Sequence, residues 1–526
     1  MPSTLSKDML DPETPPGVNV TDRSREPTPD PTLGIPVTVA KSPALHRLVT
    51  IGDSLTHGFQ SGAILNTDIS WPAIVAWEMG WCEQFRRPHY FGFGGIPLNI
   101  EYLIRDLEAK FGDRISGFLD LILAGFEVNH FLGHLDDYWE HGPGSRLIRT
   151  SEINHNLAVW GWDLRDALSR TADICAASIR APKPTLFAHT VSNSNDRTAL
   201  AVLDSARDAA GTALSPVDAA VELGRQSGNG GSGIETLVVF LGANNALGTV
   251  VKLEVIWSGP DFQDLVAKEK YTIWQPEHFQ KELLALETKL QTVRAQHVIV
   301  ATVPHVTIAP IARGIGDKVR TDSRYFPFYA RPWVNEDRFH PQQDEHITAA
   351  QARAIDSAID QYNDAIVEMV RRARNAGRDW YVLEVAGLLD RLAARRYIEH
   401  RNAAPPWWTP YPLPPLLEAL NPRPDSHFFA SGPAGRSQGG LFSLDGVHPT
   451  TIAYGIVAQE VIRLMERAGV VFYFRDGKSP RPGPVNVDFA RLIALDTLIS
   501  SPPRSLSGDL SLIGWLNDKL DFFKRL

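Results

Sequence analysis

The decapeptide Thr236-Leu237-Val238-Val239-Phe240-Leu241-Gly242-Ala243-Asn244-Asn245 constrains the fold more than any other stretch. Its first six residues are mostly branched or aromatic and do not alternate, which predicts a strand buried on both faces. Such strands belong to parallel sheets, where crossover helices cover both sides. Runs of the same kind occupy residues 48–51, 156–159, 297–304 and 380–385, and residues 184–192 suggest another. Between them, residues 276–296 carry Phe279, Leu283, Leu286, Leu290 and Val293 on one helical stripe. A helix over about 346–374 carries Ile347, Ile355, Ile359, Tyr362, Ile366 and Val370 at helical spacing. Strand, helix and strand at this spacing make a right-handed crossover unit. The expectation is an α/β chain with a central parallel sheet.

Ligand sites of open parallel sheets lie beyond the C-terminal ends of the strands. Polar residues of chemical interest stand at those places. Ser54 follows the strand at 48–51 where a helix begins. A serine there is held forward into solvent, beside helix amides that stabilise negative charge. Both features suit a nucleophile, although Asp53 and Ser54 are equally good helix caps. Residues 156–159 lead to Gly161, whose missing Cβ lets the backbone approach a substrate closely. A turn alone also calls for glycine, and Gly94 or Gly95 is a second candidate for that role. The aromatic, glycine-rich stretch 90–95 has no Lys-Ser or Lys-Thr after it, so a phosphate loop is not expected.

Asn244 ends the strand at 236–241 and offers a neutral amide donor that cannot compete as nucleophile or base. An Asn-rich turn is the alternative reading. Asp445-Gly446-Val447-His448-Pro449 opens a helix over 451–467. The three-residue spacing, on a loop entering a helix, lets Asp445 and His448 point into one cleft. A helix cap with an incidental histidine has the same pattern.

Gly52-Asp53-Ser54-Leu55, Gly161 after Asn-Leu-Ala-Val, Gly242-Ala243-Asn244-Asn245 and Asp445-x-x-His448-Pro449 occur in that order. Together they resemble the four blocks of the SGNH hydrolases, the GDSL esterase/lipase family. The resemblance covers the core of the chain. It implies a three-layer α/β/α sandwich, SGNH/flavodoxin-like, with about five parallel strands and large insertions. It also implies a serine esterase acting on carboxylic esters through an acyl-enzyme. Ser54 would be the nucleophile, His448 the base and Asp445 its orienter. The Ser54 and Gly161 amides and the Asn244 side chain would form the oxyanion hole. The chain departs from the pattern at Asn245, where the family usually has Asp. That leaves the donor intact and changes how the loop is braced. A lipase or phospholipase acting on long-chain lipid esters, and a carbohydrate O-acetyl esterase using Trp407 and Trp408 as a sugar platform, are alternatives. From a different class, the chain could be a non-catalytic binding protein on a degenerate hydrolase fold.

Composition narrows the partners. The 526 residues include 52 basic and 61 acidic side chains, a net charge of −9. That balance argues against nucleic acid or an anionic membrane as main partner; the partner the resemblance implies is a small-molecule ester. No run of about eighteen apolar residues is present to span a membrane. No basic stretch followed by an apolar core marks a secretory signal, so a cytoplasmic enzyme is expected, or a secreted one if the N-terminus has been processed. Two cysteines, Cys82 and Cys175, exclude a disulfide framework, and no Cys/His cluster has zinc spacing. His130 and His134 would share a helix face, as metal ligands can, but lack the glutamate of an HExxH motif. Neither metal nor cofactor is expected.

Residues 1–43 read as a Pro-rich arm, 44–468 as the hydrolase domain and 469–526 as a helical tail. Insertions are expected near 81–150, 193–233, 305–344 and 400–440. Within them, residues 228–232 read as a flexible loop and 432–440 as a connector. The tail is expected to be helical over 489–499 and amphipathic through Leu512, Ile513, Trp515, Leu516 and Phe522. It is a candidate contact for a homo-oligomer.

Overall fold

The computed structural model describes residues 5–6, 9–39, 42–90, 92–112, 118–146, 150–179, 191–506 and 514. The strand expected over 184–192, apart from its last two residues, and Leu512, Ile513, Trp515, Leu516 and Phe522 lie outside them. At the centre stand four parallel strands, β1 (His46–Gly52), β2 (Ile234–Phe240), β3 (Ala295–Ala301) and β4 (Trp380–Leu383), adjacent in that order. Their register puts Thr50, Val238, Ile299 and Tyr381 in one row across the sheet. The helices that matter for the site are α1 (Ser54–His57), α2 (Trp71–Glu78), α3 (Leu164–Ser169), α4 (Pro276–Leu290), α5 (Ala349–Asn375), α6 (Val385–Leu392) and α7 (Thr451–Arg467).

Alternation along each strand divides the apolar residues between two cores. Val49, Ile51, Leu237, Val239, Val298 and Val300 meet Leu283 and Leu286 of α4 and Ile355 and Ile359 of α5. Leu48, Val238, Phe240, Ile299 and Ala301 meet Ile74 of α2, Leu388 of α6 and Ile452 and Ile456 of α7. Each such side chain contributes roughly 1.5–3 kcal/mol on full burial. A sheet with helices on both faces is therefore what the uninterrupted apolar strands require.

Both sheet edges are covered. Beyond β1, residues 155–159 run parallel to it: Leu157 donates to the Thr50 carbonyl at 2.8 Å and Val159 to that of Gly52 at 3.2 Å. This segment makes a single bridge rather than a regular strand, so the expected fifth strand is only an edge. Beyond β4, the arm takes a backbone bond from Val382 to Pro31 at 3.0 Å. Arg25 of the arm pairs with Glu384 at 3.0 Å and Asp364 at 3.1 Å. The Pro-rich arm is thus a packed strap over an otherwise open strand edge.

The insertions depart from expectation where turn chemistry closes a loop. Residues 227–232 form a tight hairpin, and Ala430–Gly432 pairs with Gly435–Gln438. Residues 313–348 hold a three-stranded antiparallel sheet. The tail helix is split into Phe489–Leu495 and Thr497–Ser500, because the Asp496 side chain caps the second piece through the Leu498 amide. His130 and His134 lie on the helix Phe118–Asp136 with ring centroids 4.2 Å apart. Among the described residues no group of three or more His, Cys, Asp or Glu could hold a metal ion, and no helix is long and apolar enough to cross a membrane.

Candidate active site

The C-terminal ends of β1, β2 and the 155–159 segment converge on one place. β1 ends at Gly52, where a Cβ would lie 2.3 Å from the Thr56 hydroxyl, so the strand can turn sharply into α1 only as glycine. Asp53 caps α1 through the Leu55 amide at 3.0 Å. Ser54 then stands first in the helix, buried except toward a cavity.

His448 reaches it from the loop before α7. Its Nε2 lies 2.8 Å from Ser54 Oγ, and its Nδ1 lies 3.0 Å from Asp445 Oδ2. The other carboxylate oxygen accepts the His448 amide at 2.8 Å and the Val447 amide at 2.9 Å. Burial opposes ionisation of Asp445, but the His448 charge, with these hydrogen bonds, holds the carboxyl below its usual value. A histidine whose Nδ1–H faces a carboxylate presents Nε2 to the serine as a proton acceptor.

The oxyanion candidates are tied to one another. Asn244 Nδ2 donates to the Trp162 carbonyl at 2.9 Å, leaving its second N–H for another acceptor. Gly161, next to Trp162, is exposed and has φ +74°, a conformation that favours glycine. Its turn is anchored by the Trp160 amide, which donates to His57 Nδ1 at 3.2 Å. That bond fixes the proton on Nε2, which donates to Tyr90 Oη at 2.8 Å. Burial pushes the His57 imidazole down to about 3, so it stays neutral in this role. Gly94 and Gly95 lie elsewhere, against the Tyr102 ring and the Ile64 carbonyl.

Asn245, the departure from the family pattern, is fully buried. Its Oδ1 accepts the Leu164 amide at 3.4 Å and its carbonyl accepts Trp274 N–H at 2.8 Å. It braces the start of α3, where Asp163 and Asp166 form a capping box over Lys268.

Several supporting residues were not legible in the chain. The two-residue hairpin turn Ser61-Gly62 has both φ values positive. Ser61 N–H donates to Ser443 Oγ at 2.9 Å, Leu444 N–H to Ser61 Oγ at 3.3 Å, and Gly62 N–H to Asp445 Oδ2 at 2.9 Å. The turn thereby clamps the Asp445–His448 loop. Phe59 packs its ring 4.5 Å from that of His448. The only local signal was Ser-Gly between two short apolar stretches. Asp53 is a helix cap by sequence, yet its second oxygen is buried without a partner among the described residues. Burial pushes its carboxyl up to about 7, against the Leu55 amide and the His448 charge.

Ser54 and His448 open onto a cavity of about 120 Å³. Its walls are Leu55, Leu247, Val306, Leu388, Leu389, Leu392 and Val457, with Trp71 and Phe240. Trp407 and Trp408 do not line it. Trp408 is buried in a separate cluster with Tyr397 and Ala403 and donates to the Asp390 carbonyl at 2.8 Å. Of the two readings of Trp407 and Trp408, a sugar platform or a loop whose rings pack on the domain, Trp408 takes the second in this structure, and the walls of the Ser54 cavity are apolar. No family model matches this chain, and no curated protein matches it.

Proposed function

We propose that the protein is a serine esterase of SGNH type that hydrolyses carboxylic esters with an apolar acyl group. The observation that carries the reading is the Ser54–His448–Asp445 relay, with separations of 2.8 and 3.0 Å, at the mouth of an apolar cavity. The order of the edge segment 155–159 and the strands β1, β2, β3 and β4, with helices on both faces, supports the three-layer flavodoxin-like reading of the fold.

In this mechanism Ser54 Oγ attacks the ester carbonyl carbon while His448 Nε2 takes its proton. Asp445 stabilises the imidazolium. The oxyanion is received by the Ser54 and Gly161 amides and the free N–H of Asn244. Collapse breaks the C–O bond, and His448 returns the proton to the leaving alcohol. Water then attacks the acyl-enzyme by the same route, releasing the acid and restoring Ser54.

The aliphatic cavity favours this reading over an O-acetyl esterase, for which Trp407 and Trp408 were the sequence signal. The test is a panel of p-nitrophenyl esters of increasing acyl length, run beside Ser54→Ala, together with fluorophosphonate labelling. Turnover and labelling should both vanish in Ser54→Ala. Wild-type turnover in that variant would end the proposal, and a wild-type protein that neither labels nor turns over would favour a binding protein.

A further inference from the structure

A second cavity, of about 640 Å³, lies beside the apolar one. Ser426 lines both, and residues 304–312 and 392–396 contribute to each. The size is within the roughly 300–1,000 Å³ of small-molecule sites. Its walls have a different chemistry: Arg313, Arg324, Arg395 and Arg396 line it, against the two carboxylates Glu336 and Glu399.

The carboxylates around it are already engaged. Glu399 pairs with His427 at 2.8 Å, Glu336 with Arg313 at 3.1 Å, and Asp356 and Asp390 behind the wall with Arg396 at 2.8 and 3.2 Å. Arg395 comes only within 3.9 Å of Glu336, lies over the Phe326 ring 4.9 Å from its centroid, and its side chain makes no hydrogen bond among the described residues. Arg313 Nε and Arg395 Nε are buried without an acceptor among the described residues, and Arg324 Nη2 comes only within 4.0 Å of Asp360 Oδ2, too far for a hydrogen bond. Lys318, whose ammonium sits 4.2 Å from the Phe326 ring centroid, reports the local field. Burial, then the charges of Arg396 and Arg395, push it down to about 7, against the opposing effect of Glu399.

Desolvated guanidinium donors without acceptors are costly. A carboxylate presents two acceptor oxygens and a phosphoryl group three, so a phosphoryl group can engage more guanidinium donors at once. We propose that this cavity binds the phosphoryl group of a small polar ligand, with Arg313 and Arg395 on its more exposed side and Arg324 and Arg396 on its buried side. The site does not depend on ester hydrolysis at Ser54.

Calorimetry and thermal unfolding of the full chain test it, with inorganic phosphate, glycerol 3-phosphate and acetate as probes. Both phosphates should bind saturably and raise Tm, and acetate should not. Arg395→Gln and Arg313→Gln, both partly exposed, should each weaken phosphate binding about tenfold or more, whereas Ser54→Ala should leave it unchanged. Tighter binding of glycerol 3-phosphate identifies a phosphate monoester as the ligand class, and equal binding identifies the free ion. Two results overturn the proposal: no saturable binding of either phosphate, or unaltered affinity in an Arg395→Gln variant with a native circular-dichroism spectrum. Equal binding of acetate overturns the phosphoryl assignment.

Discussion

The backbone amide of Gly62 donates to Asp445 Oδ2 at 2.9 Å, the same oxygen that faces His448 Nδ1 at 3.0 Å. With Val447 and His448 amides on Oδ1, N–H donors meet the carboxylate on both sides. In Asp445→Asn an NH₂ must face a donor whichever way the amide is turned. We expect kcat to fall about 10⁴-fold through loss of the correct tautomer. Stability should fall by about 1–3 kcal/mol in urea denaturation. Unchanged kcat would remove Asp445 from the relay.

In the proposed mechanism Asn244 serves two acceptors, the Trp162 carbonyl at 2.9 Å and the developing oxyanion. Asn244→Ala should therefore lower kcat by about 10²–10³-fold and cost about 1 kcal/mol of stability. Gly161→Ala should act through geometry instead: its φ is +74°, and a Cβ would meet Asn195 Nδ2 at 3.2 Å. Steady-state kinetics beside thermal unfolding separates the two, since the glycine variant loses rate without losing a side-chain donor.

Asp53 and Asp445 respond to pH in opposite directions. Asp445 is held below its usual value, so its contribution to stability is present above the ordinary carboxylate pKa and is lost only as acid reaches its lower folded value. Asp53 is raised to about 7 by burial. Between about pH 4 and 7 the unfolded chain has released this proton and the native protein has not, so stability falls as pH rises. Asp53→Asn removes that slope. The stability of the variant relative to wild type should increase across the window by on the order of 2–4 kcal/mol and stay level above it. Denaturant titrations at several pH values check this, and a constant difference would contradict it.

Ala453, on α7, lines the apolar cavity near His448. Ala453→Leu fills part of it. The expected result is a loss of about tenfold or more in kcat/KM for an octanoyl ester, with the acetyl ester little changed. An equal loss for both would show that the acyl group lies elsewhere.

What the chain determined by itself is local. The unbroken apolar runs fixed β2 and β3 as doubly covered strands, because side chains on both faces had to leave water. Pro72 and Pro276 stand in the first turns of α2 and α4, and Asp163 caps α3, because caps and N-terminal prolines act within one turn. Ser54, Gly161, Asn244, Asp445 and His448 were each visible as strand-end or helix-start residues. The tertiary structure decided what lay across distance. It brought Ser54 and His448 together over 394 positions, and it clamped the Asp445 loop with a hairpin turn from the other end of the chain. It buried Trp408 away from the cleft, split the tail helix at Asp496, and gathered two arginines of the 305–344 insertion and two that follow α6 around one polar cavity. Such contacts leave no periodicity, since their partners are chosen by packing and charge balance rather than by sequence neighbours.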